Sequence, residues 1–217
     1  MDFNLNDEEQ AISDLTGQIL GDKSTHERLR QLTADDDRTD AEAWAALAEA
    51  GVVGAAVPEE FGGIGLGYLA TAAALQQVGA TASPVPLLST AVMGAMPIAE
   101  FGTDAQKAEY LPRIADGSLI VGAGLYEEGT VPGEPETVAV ADGAGYRLDG
   151  VKPMVEAGLD AGLLVIPAKM ADGSCSVFLV PADADGVSLD RVDVTTRRPV
   201  ARVTLNGVSV GGRCAAR

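Results

Sequence analysis

The chain has 217 residues, 47% of them hydrophobic, and a formal net charge of −17. That hydrophobic share sets it apart from disordered chains and lets it build one large core or two modest ones. The charge counts against a duplex phosphate surface or an anionic membrane as partner; with no long run of like charge, it reads as ordinary solubility.

In chain order, the start Met1-Asp2-Phe3-Asn4-Leu5 has neither the basic region nor the apolar core of a secretory leader. Asn6 with Glu9 makes a capping-box pattern, and Ile12, Leu15 and Ile19 then share one helical face. Residues 31–40 are polar and acidic and read as a loop. Thr39 and Glu42 repeat the capping device ahead of Trp44, Leu47 and Ala48, and Gly51 supplies a stop. A third helix is expected from about Tyr68 to Val78, ending at Gly79. Its Ala-rich run is broken by Gln76 and Gln77, which suits a protein core rather than a bilayer. A fourth follows Pro84 and Pro86, with Leu88, Val92, Met96 and Ile98 as apolar positions. A fifth opens at Thr103 and Gln106 and is cut short by Pro112.

After Gly117 the period changes. Residues 119–126, 137–141, 146–149, 162–168, 175–180 and 202–208 read as short strands rich in Val, Leu and Ile. Asp142-Gly143, Asp149-Gly150, Asp172-Gly173 and Asn206-Gly207 supply the turn chemistry between them. The fold class is therefore α+β: an all-α helical domain at 1–118, then a small antiparallel β-barrel or sandwich at 119–217. Cys175 and Cys214 match no metal or redox spacing, and a reducing cytoplasm is the simplest setting.

Several stretches, in order, carry a resemblance. Phe3-Asn4-Leu5-Asn6-Asp7-Glu8-Glu9-Gln10 resembles the opening helix of acyl-CoA dehydrogenases. Leu47-Ala48-Glu49-Ala50-Gly51-Val52-Val53-Gly54, then Val57-Pro58-Glu59-Glu60-Phe61-Gly62-Gly63, is similar to that family's most recognisable N-terminal stretch. Phe101-Gly102-Thr103-Asp104-Ala105-Gln106-Lys107 and Leu111-Pro112-Arg113-Ile114-Ala115-Asp116-Gly117 fall where the family has its last N-terminal helices. Gly145-Tyr146-Arg147-Leu148-Asp149-Gly150-Val151-Lys152 looks like the strand-turn-strand that leads to the flavin. The ordered set covers essentially the whole chain.

The resemblance implies FAD-dependent α,β-dehydrogenation of an acyl-CoA thioester, with a carboxylate removing the α-proton and the flavin taking the β-hydrogen as hydride. It implies that two β-domain loops hold the flavin. In the first, Leu125 supplies backbone contact, Tyr126 stands where the family places a flavin-bonding Thr, Glu127 follows, and Glu128 replaces a proline. In the second, after Lys152, Met154 stands at an aromatic position, Val155 at an aliphatic one and Glu156 at a hydroxyl position. An ionised Glu can only accept a hydrogen bond, where a Thr can donate one. A second reading keeps Tyr126, Met154 and Glu156 as strand-end residues facing a subunit contact or solvent.

The family's catalytic base, a Glu, belongs to a C-terminal four-helix domain, and this sequence ends about where the β-domain should, so no catalytic residue is assigned and the isolated chain is expected to be inactive. No metal cluster and no Ser-His-Asp set can be built around His26, the only histidine. Arg191, Arg197, Arg198 and Arg202 either meet CoA or FAD phosphates or, interleaved with Asp190 and Asp193, form exposed pairs or a subunit interface. Three functions follow: a piece of a working dehydrogenase, a non-catalytic subunit that completes a partner's site, or a stand-alone acyl-CoA-binding module. The expected partners are an acyl-CoA and a homo- or hetero-oligomer with another acyl-CoA dehydrogenase subunit.

Overall fold

The structure, a computed structural model, describes residues 4–34, 39–131 and 133–211. Phe3 of the opening match, residues 35–38 of the expected loop, and Cys214 lie outside the described residues. Two compact units result: one holds the chain up to Ala99 with Asp104–Ser118, the other Glu100–Thr103 with the chain from Leu119 onward.

The first unit is helical. Helix α1 (Asp7–Lys23) opens on the expected capping box, in which the Asn6 side chain accepts from Glu9 N–H and Glu9 reaches back to Asn6 N–H. Its buried face is Ile12, Ser13, Thr16 and Leu20; Leu15, expected inside, is exposed. The difference follows from packing on α4 (Gly67–Thr81), where Gln77 Nε2 donates to Ser13 Oγ at 3.0 Å, a polar contact that an apolar-only periodicity passes over. Helix α2 (His26–Ala34) occupies the first part of the expected 31–40 loop. Helix α3 (Ala41–Glu49) is capped by Asp40 rather than Thr39. Asp40 is fully buried, accepts from Ala43 N–H, and is held by Arg28 through Nη2 at 3.1 Å and Nε at 3.3 Å. A π-helical stretch (Leu88–Ala95) follows, whose end is marked by Met96 N–H reaching back to Ala91 O, and α5 (Met96–Phe101) continues it through Pro97. Helix α6 (Asp104–Ala115) runs through Pro112 instead of stopping there, because Leu111, Ile114 and Ala115 on both sides of it are buried.

The second unit is one seven-stranded sheet: β1 (Val121–Ala123), β2 (Val138–Asp142), β3 (Gly145–Val155), β4 (Leu163–Lys169), β5 (Cys175–Pro181), β6 (Val187–Val192) and β7 (Val200–Val210). The order is β1-β4-β2-β3-β7-β6, with β5 also on β4. Most pairs are the expected antiparallel ones; β4 pairs parallel with β1 and touches β2 in parallel at Val138–Lys169, so the sheet is mixed. Its core is an apolar cluster including Leu148, Leu164, Ile166, Phe178, Val203 and Leu205, with Tyr146 edge-on to Phe178 at 5.3 Å.

Two of the four expected Gly turns are turns: Gly143 joins β2 to β3, and Gly173 joins β4 to β5. The other two lie within strands. Leu148 pairs with Val208 but Gly150 with Leu205, so Asn206-Gly207 forms a bulge in β7, and Gly207 N–H donates to Asp149 Oδ1 at 2.8 Å. Strand β3 therefore continues past Asp149-Gly150 as far as Val155, through residues expected in a loop, while β6 goes beyond the expected strands.

Candidate functional site

The expected first loop leaves the end of β1. An antiparallel bridge joins Ala123 to Glu156, just past the end of β3, so the two expected loops lie side by side. Leu125 lies two residues past Ala123 and Met154 two residues before Glu156. Leu125, Tyr126 and Met154 are large apolar side chains, each about half exposed, whereas Val155 and Glu127 turn inward. Gly124 allows the approach, since a Cβ there would come within 2.9 Å of Lys152 Cγ.

Beneath the loops is a buried ion pair. Glu127 is 6% exposed and Lys152 fully buried. The Glu127 carboxylate accepts from Lys152 Nζ, from Glu136 N–H, from Thr137 N–H at 3.2 Å and from Thr137 Oγ1 at 2.6 Å. Lys152 Nζ also donates to the Pro167 carbonyl at 2.7 Å, which ties β4 into the cluster. Gly150 is pressed against the same group, because a Cβ there would lie 2.4 Å from Thr137 Oγ1. The Gly150-Val151-Lys152 signature thus has a physical meaning: the glycine lets β3 close on Thr137, and the lysine neutralises the carboxylate that Thr137 binds.

Burial alone would raise the Glu127 carboxyl, but the donors from Lys152, Thr137 and Glu136 outweigh it and hold it below its ordinary value. Burial pushes the Lys152 ammonium down, with Glu127 pulling the other way. Burial likewise pushes up the thiol of Cys175, which is free.

Glu156 differs. Its carboxylate pairs with Arg198, and both side chains stay partly exposed. An open cleft of about 510 Å³ lies there, lined by Met154, Glu156, Val194, Thr195, Thr196, Arg198 and Val200. Ala157 and Arg197, next to the two charged partners, both hold left-handed backbone at φ 56° and 55°, a conformation that non-glycine residues adopt only when their surroundings enforce it. Among the other arginines, Arg191 pairs with Asp193 at 3.4 Å and Arg202 stands opposite Asp190 across β6 and β7. His26 is exposed at the start of α2.

The structure brings the six expected residues to one end of the sheet but divides them. Leu125, Tyr126 and Met154 are each about half exposed, Glu127 and Val155 are buried, and Glu156 pairs with Arg198. Sequence reasoning missed Thr137 and Pro167 as partners of the Glu127–Lys152 pair, and Val194, Thr195 and Thr196 in the cleft. The one available signal was Lys152 set among the apolar residues Val151, Met154 and Val155, since a buried charge demands a partner. Among the described residues no group of three or more His, Cys, Asp or Glu could hold a metal ion, and no helix is long and apolar enough to cross a membrane.

Helical unit, sheet and paired loops together define the acyl-CoA dehydrogenase fold. Residues 6–118 match the family of the acyl-CoA dehydrogenase N-terminal domain, and the chain belongs to the acyl-CoA dehydrogenase family. The acyl-CoA dehydrogenase FadE27 of Mycobacterium tuberculosis is 32% identical over 210 residues, 97% of this chain and 55% of the relative. The chain is thus about half the length of the curated relative it matches. Among solved structures, a variant of the Tcur3481-Tcur3483 steroid ACAD is 38% identical with a TM-score of 0.89, covering 96% of this chain and 57% of that one. The ChsE4-ChsE5 complex from Mycobacterium tuberculosis is 32% identical with a TM-score of 0.90, covering 99% and 58%. Other solved structures with this fold hold FAD or FADH2.

Proposed function

We propose that the chain is part of an FAD-dependent system for α,β-dehydrogenation of acyl-CoA thioesters, fatty acyl or sterol side-chain. In it, 1–118 serves as the helical domain and 119–217 as the β-domain that presents one face to the flavin. Leu125, Tyr126 and Met154 meet the ring, Glu127 and Val155 hold the loops from beneath, and Glu156 lies at the polar edge. The observation that carries this reading is the Ala123–Glu156 bridge, which sets the two loops side by side with their apolar side chains outward. Bound there, FAD supplies the acceptor for the β-hydrogen. The base that removes the α-proton is assigned to the helical segment that family members carry beyond the β-domain. The test is addition of FAD to the purified chain, followed by gel filtration: flavin absorbance in the protein peak supports the reading, and its absence from the chain and from every assembly it forms contradicts it.

A second reading rests on Glu156. Its carboxylate is an acceptor locked to Arg198 where the family has a hydroxyl donor, so the chain acts as a subunit that completes a partner acyl-CoA dehydrogenase without doing the chemistry itself. The ChsE4-ChsE5 complex gives a precedent for a two-component assembly of this fold. A colourless chain that co-purifies with a flavin-bearing homologue supports this reading over the first.

A further inference from the structure

We propose that the buried Glu127–Lys152 pair is a positioning device that fixes the spacing and orientation of the two loops, so that the face made by Leu125, Tyr126 and Met154 exists only while the pair is closed. The inference rests on the reading that these loops face a planar ligand.

Glu127 sits two residues after Leu125, and Lys152 two residues before Met154. Each charged residue is therefore rooted within one loop's reach of the exposed side chains. Strand β1, at three residues, is too short to fix the loop that follows it. The Ala123–Glu156 contact is a single isolated bridge, so it gives little more. The carboxylate does what the ladder does not: it gathers Glu136 N–H, Thr137 N–H and Thr137 Oγ1 at the far end of the loop and locks them to β3 through Lys152. Lys152 extends the lock to β4 at Pro167 O.

Two close approaches make the arrangement intolerant of drift. Gly124 rests on the Lys152 stem and Gly150 on Thr137, at distances where no Cβ fits. A buried ion pair is weak evidence for stability, since an apolar pair of like volume often replaces it without loss. What an apolar pair cannot replace is the directed set of hydrogen bonds that ties Glu127, Glu136 and Thr137 to β3. Specific positioning, rather than stability, is the property the pair supplies.

The test compares wild type with Glu127→Gln/Lys152→Met as full-length chains, by thermal unfolding and amide hydrogen exchange, with FAD as the added probe in a parallel fluorescence series. Removing both charges together should leave the melting temperature near that of wild type. The amides of 125–131 and 153–158 should nevertheless exchange about tenfold faster, while those pairing β4 with β5 keep their protection. FAD affinity should fall by about tenfold. Unchanged exchange in both loops overturns the proposal, and so does loosening spread evenly through β4 and β5, the mark of a merely structural pair. If wild type binds no FAD, either alone or in any assembly it forms, the flavin-facing reading fails while the exchange result still decides on the pair. Should the double variant not fold, Glu127→Asp, which keeps the charge and shortens the reach by a methylene, is measured against the same expectations.

Discussion

The two loops each carry a carboxylate that the resemblance to acyl-CoA dehydrogenases would set beside a flavin, and the fold treats them in opposite ways. Glu127 is 6% exposed and receives donors from Lys152, Glu136 and Thr137; Glu156 stays partly exposed and has Arg198. One is taken into the protein and bonded to Lys152, Glu136 and Thr137, and the other is left at the surface beside Arg198. A shared residue type at matching motif positions therefore says little about role. Whether a buried counter-charge waits beneath it says much more.

Four experiments break or sharpen that contrast. The largest effect is expected from Lys152→Met alone, which strands the Glu127 carboxylate in the interior and should cost about 3–5 kcal/mol by denaturant unfolding. A loss under about 1 kcal/mol, the range of exposed pairs, would put Glu127 in the same class as Glu156. Next comes acid sensitivity. The folded-state value of Glu127 lies below its ordinary 4.5, so on acidification the unfolded chain binds protons first; stability present above 4.5 is lost as pH falls through the folded value. Melting curves from neutral pH into that window should fall less steeply for Glu127→Gln than for wild type, and parallel curves would remove the carboxylate's special standing. Third, Glu156→Thr restores a donor on the face. It should tighten FAD binding by about tenfold, or about 1.4 kcal/mol, with little change in melting temperature; equal affinities would show that Glu156 does not set the chemistry of the face. The smallest effect belongs to Arg198→Ala, expected to shift stability by about 0–1 kcal/mol. A larger loss would mean that the left-handed turns at Ala157 and Arg197 depend on the pair.

How far the sequence anticipates this arrangement depends on the kind of signal. The α1 cap is legible because it is local: Asn6 and Glu9 bond within one turn. The cap of α3 is not, because Asp40 outcompetes Thr39 through Arg28, a partner on another helix. Asp142-Gly143 and Asp172-Gly173 read correctly as hairpin turns, while Asp149-Gly150 and Asn206-Gly207 read wrongly, because the dipeptide has the same composition in a turn and in a bulge. Only the cross-strand pairing of β3 with β7 separates the two. Pro112 misleads in a similar way, since burial of Leu111 and Ile114 outweighs the hydrogen bond that a proline removes. For the candidate site, the residues that would line a flavin face follow from motif order, but the inward turn of Glu127 depends on Thr137 and Pro167, which are distant in sequence and chemically unremarkable.

The central claim is that Leu125, Tyr126 and Met154 form one face for a flavin ring. The most direct measurement follows the Met154 and Leu125 methyl resonances by NMR as FAD is added to the chain and to its assembly with a flavin-bearing partner. We expect the methyl signals of both residues to shift together and saturate with flavin binding, as groups lying over an aromatic ring do. Signals that stay fixed while flavin binds would contradict the claim.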